Sequence, residues 1–119
     1  MGINRVIQMN YDLITLLEKK TKQLDYSIKS LAKNGEDYAK AYTEYRIALA
    51  KELLILKDEG YAITLAGDIA RGKPEMARLK FNEISKEALY KANLESINAI
   101  KLEMKIIQEQ INKEWVKDE

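Results

Sequence analysis

The chain has 119 residues, 46 % of them hydrophobic and 33 % charged, with a net charge of +1. That length supports one core, the balance excludes a disordered chain, and near-neutrality removes any global attraction to nucleic acid or an anionic membrane. Cysteine and histidine are both absent, which excludes disulfides, thiolate metal sites and the usual general base, leaving only carboxylate chemistry.

Ala, Leu, Ile, Lys and Glu dominate and there is one proline, so the chain is expected to be all-α. The expected architecture is a long antiparallel helical hairpin, resembling a coiled-coil bundle, with a short helical elbow near residues 61–73. It is read as a single helical domain over 1–119. No apolar run approaches the ~20 residues of a membrane span. The opening MGINRVIQMN lacks the apolar region and cleavage site of a signal peptide. A cytoplasmic protein with no membrane partner is the expectation.

The first helix is predicted over about 3–59. Its apolar residues recur at heptad spacing, with Ile7, Ile14, Thr21 and Ile28 on one seam position. Ile3, Asn10, Leu17, Leu24 and Leu31 occupy the other. This alternation of threes and fours marks a helix packed lengthwise against another. Asn10 and Thr21 are polar entries of the kind that set register. Asn34-Gly35 leaves two readings open: a terminator that divides the helix, or an interior glycine where a partner comes close. Because the spacing runs on through Tyr38, Tyr42, Tyr45 and Leu49, one continuous helix is favoured over two. The tyrosine stripe reads as core packing rather than as a platform for nucleic-acid bases.

An elbow follows over 60–73. Gly60 and Gly72 are expected to end helices in the left-handed conformation, with Thr64 as a hydroxyl cap between them. Leu65, Ile69 and Ala70 are expected to tuck this turn against the long helices. Pro74 and Glu75 suit the first turn of a last helix over 74–116. That helix shows an early stripe (Ala77, Phe81, Ile84, Ala88, Ala92) and a later one (Ile97, Ile100, Met104, Ile107, Ile111, Trp115). Leu89, Leu94, Leu102 and Ile106 add a second apolar side. A helix this long needs packing along its whole length, so self-association as a homodimer or higher oligomer is expected.

Arg71, Lys73, Arg78 and Lys80 gather around the start of the last helix, where free N–H groups and the helix dipole favour an anion. They are the candidate contacts for an anion or nucleic acid, although ordinary capping with solvated charges is the favoured reading. Glu83, Glu87, Glu95, Glu103 and Glu109 recur on the last helix. A helical di-metal site needs Glu-x-x-His pairs, and interleaved lysines point to a salt-bridged face instead. No catalytic residue, metal or cofactor is therefore expected, and the chain does not read as an enzyme.

Tyr45-Arg46, Leu49-Ala50-Lys51, Asp58-Glu59-Gly60, Ala70-Arg71-Gly72 and Glu114-Trp115 together resemble a family of small prophage proteins of Gram-positive bacteria. The likeness covers residues 30–117 or so, and the family has no established activity. The resemblance implies a phage origin and an accessory role near replication, recombination or counter-defence. The expected function is protein–protein binding to a host or phage protein through long amphipathic helices. A nucleic-acid or nucleotide-binding module using the basic elbow is the alternative.

Overall fold

The computed structural model describes residues 2–117 and contains three helices: α1 (Gly2–Asp58), α2 (Ile63–Gly72) and α3 (Pro74–Lys117). No strand occurs among the described residues, so the chain is all-α. Helix α1 runs unbroken through Asn34-Gly35. Contacts divide the chain into two compact units, one spanning Ala32–Ala92 and one joining Met1–Leu31 to Asn93–Glu119.

The unit over Ala32–Ala92 contains the elbow and a core drawn from all three helices. Tyr45, Leu49 and Leu56 of α1 meet Ala66 and Ala70 of α2 and Met76 of α3. Ala48, Leu53, Ile69 and Leu79 pack around them. Helix α1 stops at Gly60, whose φ of +96° lies in the left-handed region that glycine tolerates best. The Tyr61 N–H reaches the Leu56 carbonyl at 3.2 Å, and the Gly60 N–H reaches Lys57 at 3.0 Å. These two bonds form a Schellman stop.

Two details of the elbow differ from the sequence expectation. Thr64 is not the cap: α2 begins after Ala62, which is extended and makes no side-chain cap bond. Starting there places Ala66, Gly67 and Ala70 on the buried face. A hydroxyl cap is worth only ~1 kcal/mol, and burial of the small-residue face decides the start instead. Leu65 consequently points outward. Gly72 is the second correction, since it stays helical and does not adopt positive φ. The break falls on Lys73, extended at φ −70° and ψ 138°. Proline at 74 disfavours a helical conformation in the residue before it, so the turn needs no left-handed glycine.

In the same unit α1 and α3 run antiparallel. Gly35 faces Tyr90, whose Cε2 would lie 3.3 Å from a Cβ at that glycine. The Tyr38 and Tyr90 rings pack at 6.0 Å between centroids. Tyr45 is core and Tyr38 half-buried, whereas Tyr42 is exposed, so the stripe divides between packing and surface. On α3 the inward residues are Met76, Leu79, Glu83 and Tyr90. The early stripe of Ala77, Phe81, Ile84, Ala88 and Ala92 is exposed throughout, contrary to expectation.

The other unit is a two-helix seam. Ile97, Ile100 and Ile107 are buried, with Met104 and Ile111 half-buried, as the later stripe requires. Its last member is displaced: Glu114 is buried and Trp115 exposed. On α1 one seam position is as expected, with Asn10 buried and Leu17, Leu24 and Leu31 half-buried. The other is shifted by one residue. Val6, Leu13, Lys20 and Ser27 turn inward, and Ile7, Ile14, Thr21 and Ile28 are exposed. One residue rotates a helix by about 100°, so a single step moves a whole seam off the interface. Polar links hold the observed register: Asn93 Nδ2 donates to the Ser27 carbonyl at 2.9 Å, and Lys20 pairs with Glu103 at 2.5 Å.

Candidate binding surfaces

The four basic residues singled out at the elbow have different surroundings. Lys73, at the break between α2 and α3, is ion-paired with Glu52 of α1. Arg78 binds Glu75 one turn back, with Nη2 2.7 Å from Oε1 and Nε 3.3 Å from Oε2. This hydrogen bond holds the Glu75 carboxyl below its ordinary range and pushes the Arg78 guanidinium up. Lys80 donates to the buried Glu83 at 3.1 Å and stands 4.9 Å above the Tyr45 ring. Arg71 has no ion pair among the described residues, and its guanidinium folds over Gly67. A Cβ at Gly67 would lie 2.9 Å from Arg71 Nη1.

Only two of the four converge. Arg71 and Lys80 line one groove of about 500 Å³ with Tyr45, Met76, Phe81 and Ile84, while Lys73 and Arg78 do not line it. Three of the four charges therefore already have a carboxylate partner. The local field offered to an anion is correspondingly weak.

The carboxylates of α3 are engaged in the same way. Glu87 pairs with Lys91 at 2.6 Å, which lowers its pKa. It also accepts a hydrogen bond from Tyr38, whose hydroxyl is pushed up by burial and by that carboxylate. Glu103 reaches Lys20 of α1. Among the described residues no group of three acidic side chains is placed to hold a metal ion. No helix among them is long and apolar enough to cross a membrane.

A second groove, of about 360 Å³, lies between α1 and α2 and was not anticipated from the sequence. Ala50, Leu53, Leu54, Ile63 and Ala66 line it, with Lys57 as its one charged side chain. Leu54 and Ile63 remain 64 % and 74 % exposed at its edge. The signal was the run Leu53-Leu54-Ile55-Leu56: four consecutive apolar residues on a helix cannot all face one neighbour. Further apolar residues are open within each unit. On α3, Phe81 and Ile84 are exposed in the elbow unit, and Leu102 and Ile106 in the other. On α1, Ile3, Ile7, Ile14 and Ile28 are exposed. Comparison with known proteins returns no match to this chain among family models, curated proteins or solved structures.

Proposed function

We propose that this is a phage-encoded, non-enzymatic accessory protein that works by binding another protein through exposed apolar helix faces. The observation that carries this reading is the groove at the elbow, where Leu54 and Ile63 flank a nearly all-apolar lining. Exposed apolar patches rimmed by polar residues are where proteins meet proteins. The groove adjoins the three-helix core, to which its lining residues Leu53 and Ala66 belong. Phage origin rests on the resemblance of the Tyr45-to-Lys51, Asp58-to-Gly60 and Ala70-to-Gly72 motifs. A partner in host defence or in phage replication is consistent with that origin. Nucleic-acid binding has less support, because Lys73, Arg78 and Lys80 are paired within the chain.

The test is a pull-down from lysate of phage-infected Gram-positive cells with the wild-type chain and with Leu54→Glu/Ile63→Glu. A protein retained by the wild type and lost with the double variant, at unchanged helical circular dichroism, is the expected result. Retention of the same proteins by both chains, or of none, refutes the elbow groove as the binding site. In parallel, DNA affinity that falls with salt and disappears in Arg71→Glu would favour the nucleic-acid module.

A further inference from the structure

The groove lined by Arg71 and Lys80 has an apolar floor and one uncommitted charge. Tyr45 and Met76 are buried at its base, and Phe81 and Ile84 form an open wall, 72 % and 54 % exposed. Every lining residue lies within Ala32–Ala92, so the groove is complete inside one compact unit. No carboxylate is among the lining residues. Lys80 is neutralised by the buried Glu83 and held over the Tyr45 ring. Arg71 is exposed and has no ion pair among the described residues. Gly67 makes room for it: a Cβ there would come within 2.9 Å of Nη1, so the missing side chain lets the guanidinium lie back along α2.

We propose that this groove takes a helix of another protein that presents a large apolar side chain with an aspartate or glutamate one turn away. The apolar side chain enters beside Met76 and Phe81, where about 500 Å³ is open, and the carboxylate meets the Arg71 guanidinium. A guanidinium is a planar fork of donors that matches a carboxylate with two parallel hydrogen bonds. Residues three or four apart share one face of a helix, so a single helix can deliver both groups together. Tyrosine, phenylalanine, methionine and arginine are also the side chains enriched where proteins meet.

Charge decides against a polyanion. Affinity for nucleic acid grows with the number of phosphates neutralised, and Lys73, Arg78 and Lys80 are already paired within the chain. One free cation beside an apolar wall complements one carboxylate on an apolar face. The site goes beyond the elbow groove and does not depend on it, since the two share no lining residue.

The test selects short helical peptides from a displayed random library on the immobilised wild-type chain. Docking is then read by fluorine NMR of the chain labelled with para-fluorophenylalanine. Phe81 is the chain's only phenylalanine, so the signal reports on this groove alone. The selected peptides are expected to pair Asp or Glu with Trp, Phe or Leu at helical spacing and to shift the fluorine signal. Arg71→Glu should weaken them by at least about tenfold at unchanged helical content, and changing the peptide's acid to lysine should restore binding to that variant. Leu54→Glu/Ile63→Glu should leave the fluorine shift intact, so failure here and failure of the elbow reading are told apart. Selected peptides that lack an acidic residue, a fluorine signal that none of them moves, or affinity indifferent to Arg71→Glu overturns the inference. A fluorine shift driven more tightly by single-stranded oligothymidylate than by the peptides overturns it as well.

Discussion

The two units of this chain solve the same packing problem with different means. Around the elbow, α2 lies on α1 and α3 and closes a core in which Leu56, Ala66, Ala70 and Met76 are all buried. In the unit built from Met1–Leu31 and Asn93–Glu119 the described residues form no third element, and only one stripe per helix is covered. There the seam admits Asn10, Lys20, Ser27, Asn93 and Glu114, while Ile3, Ile7 and Ile14 stay outside. Two cylinders touch along a line. A third helix turns that line into an enclosed volume, and enclosure is what large side chains need.

The largest expected effect breaks the enclosed core. Leu56→Ala should cost about 2–5 kcal/mol in urea unfolding, because its neighbours on three helices cannot all collapse into the cavity. Leu24→Ala, at a half-buried position of the two-helix seam, should cost clearly less. Equal costs would remove the contrast between the units.

The second effect sharpens the comparison from the other side. Asn10 is buried with its Oδ1 unpaired among the described residues. Leaving such a group unsatisfied costs about 1–3 kcal/mol, so Asn10→Leu should raise the melting temperature. A fall instead would mean that the amide finds a partner in solution.

Backbone tests at the elbow come next. Gly60→Ala forces a Cβ onto a residue at φ +96° and should cost roughly 1–2 kcal/mol. Gly72→Ala meets open space in a helical backbone and should be neutral or stabilising by up to ~1 kcal/mol. If both are damaging, the break between α2 and α3 is not where the structure puts it. At Gly35 the same helix gain of ~1 kcal/mol is opposed by the Tyr90 ring edge. Gly35→Ala should therefore stabilise by less than that amount, and Gly35→Ala/Tyr90→Ala should recover the difference.

The smallest effect is electrostatic. The carboxyls of Glu75 and Glu87 titrate below their ordinary value of 4.5, held down by Arg78 and Lys91 respectively. Their contribution is fully present above that value and is lost as pH falls through the lowered folded pKa. Lys91 titrates above 10.5, so its contribution is present below that value and is lost as pH rises through the raised folded pKa. Glu75 is exposed and Glu87 half-buried, and both pairs are open to salt screening, so the acid shoulder in the melting temperature should be shallow. Glu75→Gln/Glu87→Gln should flatten it, and a melting temperature that rises below pH 4 would reverse the sign.

Helix content, the stop at Gly60, the start at Pro74 and the continuity of α1 through Gly35 were legible in the chain, because they follow from local backbone preference and spacing. The exposed residues of α3 were legible as an early stripe and a second apolar side, but not as surface. Phe81, Ile84, Leu102 and Ile106 have the same apolar chemistry as Ile97, Ile100 and Ile107, and nothing local says which set meets α1. The elbow groove was hidden for a related reason: Leu54 and Ile63 lie on different helices, and only the docking of α2 brings them to one lining. The candidate cations were visible as a cluster in sequence, yet their partners Glu52 and Glu83 were not, since ion pairing depends on side chains from other turns and helices. The sequence by itself determined that the chain is helical and that its long stretches carry more apolar surface than one neighbour can cover. Tertiary structure decided which stripe is core, because a one-residue step rotates a helix by about 100° and only packing against a particular neighbour fixes that rotation.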